Sequence, residues 1–85
     1  MAINKTGILV VEDANIVAKD IQQSLKKLGY EVLGVCATGD DAMEKAEQTK
    51  PNLVLMDIML KGDISGIEAA DYIRQYVTKP VVSFI

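Results

Sequence analysis

The sequence predicts an α/β domain: a parallel sheet with helices on both faces. Three observations carry that prediction. Short apolar, β-branched runs recur at residues 7–11, 30–37, 52–60 and 81–85. The segments between them change to a helical period, and two of the runs lead straight into acids. Strand and helix patterns alternate as β-α-β-α-β-α-β, without repeats or a long linker, and such alternation implies parallel strands joined by right-handed crossovers.

The run Leu53-Val54-Leu55-Met56 meets a lone carboxylate at Asp57, and Lys50-Pro51 and Lys61-Gly62 bound the stretch. An apolar run of this kind is expected to be a strand buried on both faces. Asp is a poor strand former, so Asp57 marks the place where the strand stops. The run at 7–11 repeats the design, ending in Glu12-Asp13.

Between residues 14 and 28, Val17, Ile21, Leu25 and Leu28 fall on one helical stripe, with Lys19, Asp20, Gln22, Gln23, Lys26 and Lys27 opposite. Lys26 and Lys27 suit the negative end of the helix dipole, and Gly29 suits the left-handed stop. After the second strand, Thr38 is the expected N-cap of a helix with Asp40 and Asp41 in its first turn. Its apolar face is thin, comprising Ala42, Met43 and Ala46. A third helix is expected over 67–77, burying Ile67, Ala70, Ile73 and Val77, before Lys79-Pro80 punctuates the chain.

Composition narrows the function. The chain has 85 residues, room for one domain, and is 49% hydrophobic and 25% charged, an ordinary globular balance. A net charge of −3 without a Lys/Arg cluster speaks against nucleic acid or an anionic membrane as a direct partner. No apolar run reaches the length of a membrane span, and residues 1–6 lack the apolar core of a signal peptide. A single cysteine, Cys36, excludes an intrachain disulfide, fits a reducing cytoplasm and reads as a small apolar group in a strand. Histidine is absent, which removes imidazole catalysis and the common zinc sites.

If the two acid-tipped strands are neighbours, Glu12, Asp13 and Asp57 converge at one sheet edge, where open α/β folds keep their sites. At an effective dielectric near 20, each close pair of carboxylates costs about 3–4 kcal/mol. Proton sharing or a bound cation relieves that repulsion, and hard oxygen ligands suit Mg²⁺. A divalent ion beside a carboxylate and a phosphoryl donor is an arrangement for phosphoryl transfer. The alternative is plainer: Glu12 and Asp13 are solvated N-cap acids of the first helix, and Asp57 is an acid that begins a loop.

Ile8-Leu9-Val10-Val11-Glu12-Asp13, Leu53-Val54-Leu55-Met56-Asp57-Ile58 and Gly66-Ile67-Glu68-Ala69-Ala70 together resemble the receiver domain of two-component response regulators. The resemblance covers residues 7–80. It implies a flavodoxin-like fold with strand order 2-1-3-4, to which the family adds a fifth strand. It also implies that Asp57 takes a phosphoryl group from a sensor histidine kinase, and that Mg²⁺ is held by Glu12, Asp13, Asp57 and the backbone carbonyl of Met59. No catalytic residue beyond Asp57 is implied, and the resemblance implies a cytoplasmic signalling module rather than an enzyme.

Two departures from the family pattern stand out. Lys61-Gly62 occupies the place where many members have a proline, in a loop one residue longer. The family's switch hydroxyl would fall near Ile85, and the role is not carried over to Ser83; its fifth strand, closing Lys and last two helices have no counterpart in residues 1–85. The resemblance therefore implies a receiver incomplete at its C-terminus: if the 85 residues are the whole chain, strand 81–85 is an exposed apolar edge that invites self-association, and the alternative is that they are a fragment of a longer receiver. Two other functions compete: a module of the same fold that binds an ion or a protein without phosphorylation, and a phosphohydrolase with an aspartyl nucleophile. The phosphohydrolases that use a second Asp two residues after the nucleophile have a counterpart here only in Met59. A calcium loop is disfavoured by the apolar residues of 57–62 where oxygen ligands should fall.

Overall fold

The computed structural model describes residues 6–78 and 80–85; the expected punctuation at Lys79 lies outside them. Four strands, β1 (Gly7–Val11), β2 (Glu31–Cys36), β3 (Leu53–Met56) and β4 (Val81–Phe84), alternate with three helices, α1 (Asn15–Lys27), α2 (Gly39–Thr49) and α3 (Gly66–Tyr76). The strands form one parallel sheet in the order β2-β1-β3-β4, so the expected alternation and strand order both hold.

Strand alternation separates two layers. Leu9, Val11, Cys36, Val54 and Met56 turn toward α2 and α3 and join Ala42, Ala46, Ala69, Ile73 and Val77 in one core. Burial in this layer rests on small residues: Ala42 and Ala46 of α2 and Ala69 and Ala70 of α3 are fully buried. Alanine at the contact lets the helices pack closely without the rotamer cost of a longer side chain. Tyr72 of α3 also donates its hydroxyl to the Glu47 carboxylate of α2. On the other face Ile8 and Val10 lie beneath α1, which packs over β1 and β2 with Ala18 buried.

The α1 side departs from expectation in two ways. β3 is fully buried on one face alone: Val54 and Met56 are inaccessible, whereas Leu53 and Leu55 are half-buried. The cause is reach, because α1 covers β1 and β2 and extends no further across the sheet. The stripe expected for α1 is correspondingly shallow. Ala18 is its buried residue, Ile21 and Leu25 are half-buried, and Val17 and Leu28 are exposed.

α3 differs by one position. Its inward face runs through Gly66, Ala69, Ala70 and Ile73, with Val77 just beyond the helix, and Ile67 is 52% exposed rather than buried. The helix begins one residue earlier than the apolar pattern suggests because Ser65 is its N-cap. Ser65 Oγ accepts the Glu68 N–H at 3.1 Å, and a Glu68 carboxylate oxygen accepts the Ser65 N–H at 3.2 Å, a reciprocal pair that fixes the first turn.

The remaining helix ends follow the sequence reading. Thr38 caps α2, its hydroxyl accepting the Asp41 N–H at 3.2 Å. Beyond α1, Gly29 has φ 90° and donates to the Lys26 carbonyl, and Tyr30 donates to that of Leu25.

Candidate functional site

Register builds the site. Val11 of β1 pairs with Met56 of β3, and both strands end there. The next residue of each strand, Glu12 and Asp57, therefore emerges at the same carboxyl edge, with Asp13 one step further along. Backbone bonds hold both corners, Glu12 N–H donating to Cys36 O and Asp57 N–H to Val11 O, each at 2.9 Å. β1 is buried along its whole length and fixed between two neighbours, so the carboxylates it presents are held by the least exposed part of the sheet.

Glu12, Asp13 and Asp57 can each offer one carboxylate oxygen with all three atoms inside 4.8 Å of one another, and each residue is half-buried. One Asp57 oxygen accepts the Met59 N–H at 3.0 Å, which fixes the turn of the carboxylate. Met59 itself, the remaining residue of the expected ligand set, is 80% exposed in the loop. Glu12 accepts the Ala14 N–H at 3.2 Å. Ala14, and neither acid, is the N-cap of α1, which has no acid in its first turn.

The crowding shows in the protonation of Glu12. Burial pushes its carboxyl above the usual 4.5, Asp57 and Asp13 add to the rise, and the Ala14 N–H opposes it. A cluster of oxygen donors that repel one another in this way suits a hard divalent cation, which relieves the same repulsion by charge. Cys36, by contrast, is a free buried thiol raised by desolvation, in keeping with a packing role in β2.

Several features that shape the site were not read from the sequence. Gly66 packs so closely on the turn after β3 that a Cβ there would overlap the Asp57 carbonyl oxygen, and its N–H donates to Ile58 O at 3.0 Å. The loop from Asp57 to Ser65 is further tied to the corner before α2 by a parallel bridge between Thr38 and Lys61. Asn52 anchors the start of β3, its side-chain oxygen accepting the Gly7 N–H at 2.8 Å. The Ser65/Glu68 cap had a visible signal, Ser-x-x-Glu ahead of an apolar-periodic stretch. The contacts of Gly66 and the Thr38–Lys61 bridge join residues whose proximity exists only after folding.

Comparison with known proteins agrees with this geometry. The family described as response regulator receiver domain matches residues 8–85. The transcriptional regulatory protein PdtaR of Mycobacterium tuberculosis is 36% identical over 75 residues, which are 88% of this chain and 36% of that protein. The phyllosphere-induced regulator PhyR of Methylorubrum extorquens is 35% identical over 91% of this chain and 29% of its own length; the chain thus spans about a third of these relatives. Among solved structures, the signal receiver domain of a modulated diguanylate cyclase from Desulfovibrio desulfuricans superposes with a TM-score of 0.86 at 38% identity, over 93% of this chain and 62% of that one. The anti-anti-sigma factor PhyR of Bartonella quintana, solved with the anti-sigma factor NepR, superposes with a TM-score of 0.84 at 38% identity, over 94% of this chain and 33% of that one. The flavodoxin-like sheet, the acidic edge and these relatives agree: the chain belongs to the response regulator receiver domains of two-component signalling.

Proposed function

We propose that Asp57 is the phosphoacceptor, taking a phosphoryl group from the phosphohistidine of a sensor kinase. The observation that carries this is the convergence of three carboxylate oxygens within 4.8 Å at the end of two adjacent parallel strands. Glu12, Asp13, Asp57 and the Met59 carbonyl would hold Mg²⁺, which supplies charge neutralisation for the incoming phosphoryl oxygens. The Asp57 carboxylate is oriented by the Met59 backbone N–H, as that of Glu12 is by the Ala14 N–H, and the choice of Asp57 as acceptor follows the resemblance to the receiver family. In the transfer an Asp57 oxygen bonds to phosphorus while the P–N bond to the donor imidazole breaks. The nitrogen keeps that electron pair, and an acyl phosphate remains on Asp57. A cytoplasmic site of action goes with this reading, since the ATP that charges such kinases is found there. Asp57 supports its own phosphorylation at most, and the output belongs to a partner or to a further domain.

The test is incubation with acetyl phosphate, with and without Mg²⁺, followed by intact mass measurement. One added phosphoryl group on the wild type, dependent on Mg²⁺ and missing from Asp57→Asn, supports the proposal. Hydrolysis of the donor without an adduct favours a phosphohydrolase. With neither adduct nor hydrolysis the proposal fails, leaving an ion-binding or protein-binding module.

For the 85-residue chain taken by itself, we propose a second copy as the partner of the outer edge of β4. Among the described residues no strand pairs there, and Val81 and Ile85 are 66% and 50% exposed. An open apolar edge of this sort pairs readily with another strand. Sedimentation equilibrium of the 85-residue chain should show self-association, and a well-folded monomer at high concentration would refute it.

A further inference from the structure

Gly39 is the first residue of α2, buried and distant in sequence from every acid of the site. A Cβ at this position would stand 2.7 Å from Ile64 Cγ2, 2.9 Å from the Ile64 carbonyl oxygen and 3.0 Å from Ile64 Cβ. Real side chains do not approach so closely, so the absence of one at 39 is what lets Ile64 sit where it does. Ile64 belongs to the loop that leaves Asp57. It is half-buried and packs on the α2/α3 core together with Leu60 of the same loop. Immediately beside it, Thr38 and Lys61 form a parallel bridge.

The loop is therefore fastened at both ends and in its middle. Met59 N–H is bonded to the Asp57 carboxylate and Gly66 N–H to Ile58 O. In the middle the Thr38–Lys61 bridge holds it, and shortly before the cap Ile64 packs on Gly39. We propose that Gly39 is a positioning residue for the Asp57 loop: by admitting Ile64 against the start of α2, it sets the path of residues 58–64 and with it the Met59 N–H that orients the Asp57 carboxylate. This inference rests on the phosphoacceptor reading for its effect on rate, while the effect on loop position stands apart from it.

Helix propensity alone predicts the opposite outcome for the obvious variant. Alanine in a helix is favoured over glycine, so a merely local role would leave Gly39→Ala at least as stable and fully reactive. A positioning role predicts a displaced loop, and misplacement of reacting groups by about 1 Å costs up to roughly 100-fold in rate.

The experiment compares wild type, Gly39→Ala, Ile64→Ala and the double variant. It measures the rate of phosphorylation by acetyl phosphate, the Mg²⁺ concentration at half-maximal rate and the ¹H–¹⁵N amide positions of Met59 and Gly66, with urea unfolding to establish that each variant is folded. Gly39→Ala is expected to lower the rate about 10- to 100-fold, raise the Mg²⁺ requirement and move both amides. Both substitutions disturb the same contact, so the double variant should lose less than the product of the two single losses, yet stay below wild type because a Cβ at 39 still faces the Ile64 carbonyl oxygen and Cβ. A folded Gly39→Ala with wild-type rate and unmoved amides overturns the proposal, as do two losses that multiply independently. If Gly39→Ala does not fold, Ile64→Ala decides alone: a moved Met59 amide supports the proposal and an unmoved one overturns it. If the wild type takes no phosphoryl group, the phosphoacceptor reading fails, and the amide positions still decide the role of Gly39.

Discussion

Gly66 lies directly against the backbone carbonyl of Asp57. Its N–H donates to Ile58 O at 3.0 Å, and a side chain at this position would overlap the Asp57 oxygen. The start of α3 thus presses on the turn that carries the acid. Gly66→Ala would gain helix propensity, yet overpacking against backbone costs about 1–3 kcal/mol and forces a shift. The variant is expected to be less stable by that order in urea unfolding. A stability equal to or above wild type would show that the turn gives way freely.

Ser65 and Glu68 hold the same helix start from outside. Each side chain accepts the other's backbone N–H, at 3.1 and 3.2 Å. Ser65→Ala should lower stability by about 1 kcal/mol, whereas Ser65→Asp, which keeps an acceptor at the N-cap, should lose little. Equal unfolding midpoints for Ser65→Ala and wild type would mean that water replaces the cap without loss.

The order of elements was legible because it rests on short-range pattern, whereas the strand order came from the resemblance to receiver domains, and the convergence of Glu12, Asp13 and Asp57 followed only once the two acid-tipped strands were neighbours. β-branched runs mark strands, Gly29 marks a stop, Thr38 with Asp40 and Asp41 marks a start, and an acid after an apolar run marks a strand end. Depth of burial was less legible, because it depends on how far a neighbour reaches. Leu53 and Leu55 have the apolar character of Val54 and Met56, yet α1 stops short of β3 and leaves them half-buried. Ile67 looked like a core residue by its type, but the cap at Ser65 and the close α2 contact turn Ala69 and Ala70 inward instead. The loop contacts around Asp57 were illegible for a different reason. They depend on space where glycine has no side chain, and sequence spacing does not encode space.

The correction to α3 is itself measurable. Ile73 is fully buried in the core and Ile67 is 52% exposed. Truncating Ile73 to alanine should cost about 2–5 kcal/mol, the range for a large core residue. Ile67→Ala should stay within about 0.5 kcal/mol of wild type, as surface changes do. Comparable losses at the two positions would place the buried face of α3 elsewhere.

Protons and metal should compete for the acidic edge, and Glu12 gives the sign. In the folded protein burial, then Asp57 and Asp13, raise its carboxyl above 4.5, with the Ala14 N–H opposing. The folded state thus binds that proton more readily than the unfolded chain. Stability from this group is fully present below the unfolded value of 4.5 and is lost as pH rises through the raised folded value. A divalent cation favours the ionised form and offsets the loss. In metal-free protein, wild type should therefore lose stability relative to Glu12→Gln as pH rises from about 4.5 toward neutral. Mg²⁺ at 100 times its dissociation constant should add about 2.7 kcal/mol at neutral pH, and much less near pH 4.5, where protons occupy the site. Thermal unfolding of both proteins across that range, with and without Mg²⁺, checks the linkage. A Mg²⁺ effect that ignores pH, or that is as large in Glu12→Gln as in wild type, would remove Glu12 from the metal site.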